Sequence, residues 1–85
     1  MPNYTIVLSK KAQKQLDKLP ENIAEPIFEA ISLLENEPRP SGCKKIQGRD
    51  GFRICIGNYR VIYEINDNEL VIDVITLGHR KDIYE

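Results

Sequence analysis

Arginines recur in the last third of this 85-residue chain, inside segments that otherwise have the composition of hydrophobic strands. Arg53 lies in the run Phe52–Ile56 and Arg60 in the run Tyr59–Ile65, while a third apolar run leads into Gly-His-Arg at 78–80. An arginine in a strand is costly unless it has a partner or faces an open surface. Because the planar guanidinium suits phosphate, these residues indicate a phosphate-binding surface.

The distribution of charge favours the same class of ligand. The net charge is only −1, but residues 38–60 carry six lysines and arginines against Asp50 alone. Such a basic segment attracts phosphates through its local field. Lys44, Lys45 and Arg49 are therefore candidates for RNA binding; the alternative is a solvated loop whose charges pair with nearby carboxylates.

Length and composition exclude several classes of protein. Eighty-five residues predict one small domain over 1–85, with room for one sheet and two covering helices. No run approaches the roughly 18–20 apolar residues of a membrane span, and the N-terminus lacks a signal sequence, so we expect a cytoplasmic protein without a membrane partner. Cys43 and Cys55 are expected to be reduced thiols. Their spacing and the single histidine argue against a metal site, and no cofactor motif occurs.

Hydrophobic periodicity predicts the first half of the fold. A strand is expected over Tyr4–Leu8, followed by a helix that Ser9 caps and Pro20 ends. A second helix is expected over Glu21–Glu37, with an apolar stripe along one side. Pro26 should lie in the first turns of that helix or kink it.

The second half predicts three strands joined by tight turns. The expected strands are Phe52–Ile56, Tyr59–Ile65 and Leu70–Leu77, with a two-residue hairpin turn at 57–58. The predicted fold is a small α+β domain of order β-α-α-β-β-β. Its sheet is mainly antiparallel, with the N-terminal strand beside a three-stranded meander. Both helices cover one face, and the other face is left for function.

Alternation along the strands predicts which side chains share the uncovered face. Arg60 falls opposite the core residues of its strand, and Arg53 falls opposite the apolar residues of its own. If both share the uncovered face, hairpin pairing brings them together. His79, Arg80 and Tyr84 follow the last strand, and their convergence on Arg60 is a hypothesis.

These residues resemble the RelE/ParE superfamily of toxin–antitoxin toxins, on its RelE branch. The similarity rests on Phe-Arg-Ile-Cys-Ile at 52–56, Asn-Tyr-Arg-Val-Ile-Tyr-Glu-Ile at 58–65, Gly-His-Arg at 78–80 and a terminal tyrosine. It covers nearly the whole chain. The resemblance implies a ribosome-dependent mRNA endonuclease that halts translation, with the ribosome and mRNA as partners. It also implies a cognate antitoxin that neutralises the toxin, in a complex that can be of higher order.

The resemblance further implies roles for individual residues. Arg60 matches the arginine that holds the scissile phosphate, Arg80 the arginine after the Gly-X pair, and Tyr84 the tyrosine near the C-terminus. Arg53 stands where the best-known members have a lysine. Cys55 stands where they have a second lysine, thought to help activate the nucleophile. The acidity of the whole chain is a second departure from these usually basic toxins.

The implied reaction is attack of a ribose 2′-OH on the neighbouring phosphate, which leaves a 2′,3′-cyclic phosphate and a 5′-hydroxyl. Arg60 and Arg80 can stabilise the charge on the phosphoryl oxygens without a metal. The base remains open between His79, a residue type that titrates near neutrality, and Glu64. Tyr84 could instead stack on a nucleobase. Two other functions also remain open: a ParE-like toxin that inhibits DNA gyrase without cleaving RNA, and an inactive scaffold that binds its antitoxin.

Overall fold

In the computed structural model, which describes residues 3–83, two helices and five strands form an α+β fold. The elements are β1 (Thr5–Leu8), α1 (Lys10–Asp17), α2 (Glu21–Leu33), β2 (Lys44–Lys45), β3 (Gly51–Ile56), β4 (Tyr59–Asn66) and β5 (Val71–His79). The strands form a mixed sheet in the order β1-β5-β4-β3-β2, with β1 parallel to β5 and the other neighbours antiparallel. The predicted fold class is confirmed, and the short strand β2 is an addition to it. No helix within the described range is long and apolar enough to cross a membrane.

The two helices begin and end for identifiable reasons. The hydroxyl of Ser9 accepts a hydrogen bond from the Ala12 amide at 3.0 Å, which caps α1, and donates to the Ile75 carbonyl at 2.7 Å. Pro26 is the sixth residue of α2, and the helix runs through it. The helix ends at Leu33, so the predicted end at Glu37 is wrong. Beyond it, amides at 34 and 35 bond to carbonyls three residues back, a tighter turn that closes the helix.

The main core lies between the helices and the sheet, as the apolar stripes predict. Its fully buried side chains are Ala12, Ile27, Leu34, Val61, Tyr63, Ile72, Val74 and Leu77. Tyr63 is the largest of them, and its hydroxyl donates to the Pro38 carbonyl at 2.8 Å. Burial raises the pKa of Tyr63, so the neutral phenol persists and keeps the loop after α2 attached to the sheet.

A β-bulge decides which way the end of β5 faces. Consecutive β4 residues 62 and 63 pair with residues 76 and 74 of β5, which leaves Ile75 as an extra residue. The alternation of side chains shifts by one after it. Leu77 therefore joins the core beneath the helices, while Ile75 packs on the opposite face.

The face away from the helices is only partly open, which corrects the expectation that it is left bare. Ile46, Ile62 and Ile83 form a second buried cluster there, and Ile75 packs against it. The Ile46 amide donates to the Gly51 carbonyl at 2.8 Å, which holds the segment after β2 against the sheet. These side chains cover part of this face of the sheet.

Candidate phosphate-binding site

Strand register brings Arg53 and Arg60 onto the same face of the sheet. Arg60 pairs with Cys55 of β3 and Gly78 of β5, and Arg53 pairs with Ile62. Residues paired across antiparallel strands project to the same side, so the two arginines are diagonal neighbours with Cα atoms about 7–8 Å apart. This confirms the expectation that they share the face away from the helices. We call it the arginine face.

The arginine face holds its cations in an environment that is only partly wet. Arg53 and Arg60 are half-buried, and the Nε atom of Arg60 is buried. Lys44 pairs with Arg53 and adds an exposed third cation to the same side. Charges interact more strongly where water is partly excluded. This arrangement is therefore expected to bind a phosphodiester more tightly than an isolated surface lysine would.

The chain after β5 returns over the arginine face. A Cβ placed on Gly78, the residue paired with Arg60, would lie 3.1 Å from the Cδ1 atom of Ile83. Ile83, itself buried, fills the space that a side chain at 78 would take, so any larger residue there would have to displace the Ile83 side chain. Tyr84, a predicted catalytic residue, lies outside the described residues.

Arg80 lies at the same end of the sheet as Arg60. Its amide donates to the carbonyl of Asn58 at 2.8 Å, which fixes the end of β5 beside the turn between β3 and β4. Arg80 itself is exposed. The structure thus places Arg80 at the rim of the arginine face. Asn58, which accepts the hydrogen bond from the Arg80 amide, precedes Arg60 by two residues.

His79 lies on the other side of the sheet, contrary to the hypothesis that it converges on Arg60. It pairs with Tyr59, and the two rings meet edge to face with centroids 5.4 Å apart. Tyr59 packs against the core beneath the helices. The bulge at Ile75 is the physical reason, because it reverses the side to which the last residues of β5 point.

Glu64, the other candidate base, shares a face with Arg60 but stands apart from it. Four residues of extended strand separate the two, a distance of roughly 13 Å. The Glu64 carboxylate accepts a hydrogen bond from Arg49 at 3.5 Å and faces Asp73 across the strand pair. A general base must come within hydrogen-bonding reach of its proton, so Glu64 is poorly placed for a phosphate held at Arg60.

The three predicted RNA-binding residues are not brought together. Lys44 joins the arginine face, whereas the Nζ atom of Lys45 lies 5.7 Å from the ring centroid of Phe52, on the side of the main core. Arg49 is engaged with Glu64 in an exposed salt bridge, a type that contributes little to stability. Alternation predicts this separation of Lys44 from Lys45 once β2 is known to be a strand.

Charge is distributed unevenly between the two ends of the sheet. The end opposite Arg60 has an acidic cleft of about 460 Å³ whose lining includes Asp50, Glu64, Asp67 and Asp73. Within residues 3–83, no group of histidine, cysteine or carboxylate side chains is arranged to hold a metal ion. The arrangement can therefore bind and polarise a phosphate through guanidinium groups at one end only.

Known proteins are similar to this chain in sequence and in fold. The family model described as the ParE toxin of the type II toxin–antitoxin system parDE matches residues 6–84. Toxin RelG of Mycobacterium tuberculosis is 32% identical over 83 residues, which is 95% of either chain. The archaeal RelE–RelB complex of Pyrococcus horikoshii contains a chain that is 31% identical with a TM-score of 0.83, covering 95% of this chain and 99% of that one. For the intact Escherichia coli RelBE toxin–antitoxin complex the values are 25% and 0.79, with 89% and 95% covered.

Proposed function

This chain belongs to the RelE/ParE superfamily of type II toxin–antitoxin toxins, and we propose that it is a member that cleaves mRNA on the ribosome. The observation that supports cleavage most directly is the placement of Arg53 and Arg60 on one face of the sheet, with Lys44 beside them. Three cations in this pattern suit a chain of phosphates better than a single anionic ligand.

In this proposal Arg60 holds the scissile phosphate, while Arg53 and Lys44 hold its neighbours. The RNA 2′-oxygen forms a bond to phosphorus as the bond from phosphorus to the 5′-oxygen breaks; the 2′-OH loses a proton and the leaving oxygen gains one. Arg60 and Arg80 stabilise the negative charge that develops on the phosphoryl oxygens. Tyr84 follows Ile83 directly and is proposed to contact the same substrate.

The ribosome is proposed to supply much of the rate by aligning the RNA. His79 lies on the helix-covered face of the sheet, and Glu64 lies four residues along β4 from Arg60. Neither side chain is therefore close enough to Arg60 to act as the base. Holding the 2′-oxygen in line with the phosphate removes much of the entropic barrier, which lowers the demand for a strong base. This chain then contributes charge stabilisation and orientation.

The direct test is induced expression followed by primer extension on cellular mRNA. We expect growth arrest, rescue by the cognate antitoxin, and cuts in register with codons. The purified protein should cut mRNA in ribosomes with an empty decoding site and leave naked mRNA intact. Normal growth at a verified protein level would overturn the toxin function, and equally fast cleavage of naked RNA would overturn the ribosome dependence.

The cognate antitoxin is proposed to cover an apolar patch beside β1. Phe28 and Leu33 of α2 are 57% and 68% exposed, and Val7 of β1 is 45% exposed. A groove of about 210 Å³ lies between Phe28 and the side chains of Ile6 and Leu8, whereas Val7 projects to the other face of β1. β1 is also an edge strand, and such edges accept additional strands.

Replacement of Phe28 by serine tests this surface. We expect the affinity for the antitoxin to fall by about tenfold or more, because large exposed aromatics anchor interfaces. The melting temperature and the ribosome-dependent cleavage of the variant should match those of the wild type, since Phe28 is exposed and distant in the fold from the arginine face. Unchanged affinity would show that the antitoxin binds elsewhere.

A second candidate function is inhibition of DNA gyrase without RNA cleavage. It is favoured by the description of the matching family model, which names the ParE toxin of the parDE system. A supercoiling assay with purified gyrase separates the two functions. Inhibition of supercoiling with intact cellular mRNA would replace cleavage by gyrase binding as the function of this chain.

A further inference from the structure

A second cleft lies at the edge of the sheet, where α1 meets the end of β5. Its volume is about 460 Å³, within the range of small-ligand sites and sufficient for a nucleotide. Its lining includes Lys11, Gln15, Lys18, Tyr59, His79 and Asp82. Gly78 and Ile83 also line the cleft, so it reaches the arginine face, whereas it shares no residue with the groove beside β1.

The polar groups of the cleft are mainly hydrogen-bond donors. The Gln15 side-chain oxygen accepts from the Leu77 amide at 2.9 Å and from the Thr76 hydroxyl at 3.1 Å. Because a backbone amide can only donate, the oxygen of Gln15 is fixed towards β5 and its NH₂ group is turned away from the strand. The Nδ1 atom of His79 accepts from the Lys81 amide at 3.2 Å, so in the neutral ring the proton is on Nε2, a further donor.

Two lysines add positive charge to the same lining. Lys11 and Lys18 are seven residues apart in sequence, which corresponds to two helical turns or roughly 10 Å along α1. Both are exposed, and neither forms a salt bridge with another residue in the range 3–83. Asp82 supplies one carboxylate to the described lining, so the two lysines leave the cleft positive.

An aromatic pair completes the site. Tyr59 and His79 are both half-buried, and their rings meet edge to face. Unstacked nucleobases bind on tyrosine and histidine rings, and this contact tolerates any base because each has a π-face. The cleft therefore combines hydrogen-bond donors, lysines and exposed ring surface. This combination suits a single-stranded nucleotide, which has a phosphate and an unstacked base.

Strand register connects this cleft to the phosphate site. Tyr59 precedes Arg60 and His79 follows Gly78, and these four residues form two successive pairs of β4 and β5 with side chains on opposite faces. Arg80 lies at the rim between them, with its amide bonded to Asn58. We propose that the cleft between α1 and β5 binds a nucleotide of the substrate RNA adjacent to the one cut, with the strand crossing the rim at Arg80.

This inference rests on the proposed RNA cleavage, and its test measures RNA binding by itself. The probe is a fluorescent single-stranded RNA hexamer with 2′-O-methyl groups, which block cleavage. The double variant Lys11→Gln/Lys18→Gln is compared with Lys10→Gln/Lys14→Gln, which removes the same charge from positions of α1 outside the lining. If both cleft lysines contact phosphates, the slope of log K against log salt should become shallower by about 1.4, since each contact to a single strand contributes roughly 0.7. The control should change it by less than half as much.

Stacking is tested with 2-aminopurine in the hexamer, whose fluorescence falls when the base stacks. The wild type and Tyr59→Phe should both quench it, because both keep a ring, whereas Tyr59→Leu should not. Thermal melts of both variants show that the fold is kept, and a quench by Tyr59→Leu equal to that of the wild type would overturn the aromatic platform.

The outcomes separate this inference from the proposed function. Equal changes in slope for the two lysine pairs, or no binding of the hexamer by the wild type, would overturn the cleft as an RNA site. Loss of antitoxin affinity in Lys11→Gln/Lys18→Gln with RNA affinity intact would overturn it in favour of a protein interface. Each of these three results leaves codon-registered cleavage by the wild type, if observed, as independent support for the function itself.

Discussion

Arg60 pairs with Cys55 of β3 and Gly78 of β5, and the Nε atom of its guanidinium is buried. Because this side chain is already half-buried before substrate binds, part of the entropy cost of placing its guanidinium is met during folding. Arg49, by contrast, sits at the acidic end in an exposed salt bridge. The two arginines therefore provide a matched comparison between a site residue and a surface residue.

We expect Arg60→Ala to lower ribosome-dependent cleavage by at least about 100-fold, the typical effect of removing one donor to a transition-state oxyanion. Arg49→Ala should stay within about threefold of the wild type, since exposed salt bridges contribute little. Cleavage and thermal melts are measured on both. A large fall in melting temperature for Arg60→Ala with cleavage retained would assign Arg60 to the scaffold.

Cys55 occupies the position directly opposite Arg60 and is exposed. The resemblance to known toxins places a lysine here, and a lysine ammonium could reach a phosphate held by Arg60. We expect Cys55→Lys to raise the cleavage rate by about tenfold or more, because groups that assist proton transfer contribute ~10²–10⁴. Cys55→Ser, which adds no charge, should behave as the wild type. A folded Cys55→Lys variant with unchanged or slower cleavage would contradict this role for the position.

At the scale of elements, the contact between Gly78 and Ile83 controls where the chain goes after β5. Gly78→Ala should lower stability by about 1–3 kcal/mol through overpacking against the Ile83 Cδ1 atom. Ile83→Val removes that methyl group, so the double variant should lose less stability than the sum of the two single variants. Urea unfolding of all four proteins measures this coupling. Strict additivity would mean that the chain end accommodates the added methyl without resistance.

The sequence predicted most of the elements because their signals are local. Ser9 caps α1 as expected, and the hairpin at 57–58 sets the register that unites Arg53 with Arg60. Features that depend on tertiary contacts escaped prediction. The two residues of β2 carry no strand signal, and glycine at 78 has a reason only when Ile83 is seen above it.

The prediction that His79 converges on Arg60 was wrong for the same reason, because it depended on a feature that is visible only in the folded structure. A prediction from sequence assumes regular alternation along β5. The apolar run contains no residue that indicates a bulge, so Ile75 cannot be recognised as the extra residue. One bulge therefore moves every later side chain of the strand to the other face. The same shift brings His79 to Tyr59, which creates the aromatic pair of the cleft beside α1.

At the scale of the whole molecule, a net charge of −1 conceals two ends of opposite character. Arg60, Arg80 and the cleft lined by Lys11 and Lys18 lie towards one end of β4 and β5, while the cleft lined by Asp50, Glu64, Asp67 and Asp73 lies at the other. Such a dipolar molecule approaches a polyanion with its basic end first. Four of the carboxylates that distinguish this chain from basic toxins thus lie at the end of the sheet away from Arg60.

The acidic end is also held together by a polar cluster that responds to pH. Asp67, in the turn between β4 and β5, accepts hydrogen bonds from Arg39 at 2.9 Å and from the Tyr4 hydroxyl at 2.7 Å. Hydrogen bonding by Arg39 and then by Tyr4 lowers the pKa of Asp67 from its ordinary value of 3.8. The cluster joins the residues before β1 and the loop after α2 to the far end of the sheet.

A lowered pKa in the folded state means that the carboxylate stabilises the fold above pH 3.8 and that this contribution is lost as the pH falls through the folded-state value. We therefore expect the wild type to melt at a higher temperature than Asp67→Asn at pH 7, and the difference to shrink towards zero below pH 3.8. Asp50→Asn, which removes an exposed charge with no salt bridge in the described range, should show no such convergence with the wild type. Melts at intervals between pH 7 and pH 2.5 measure both differences. A difference in melting temperature for Asp67→Asn that stays constant to the lowest pH would mean that the charge of Asp67 does not hold this end of the molecule together. The packing of Arg39 on the Phe52 ring, 5.3 Å from its centroid, would then be the contact that does so.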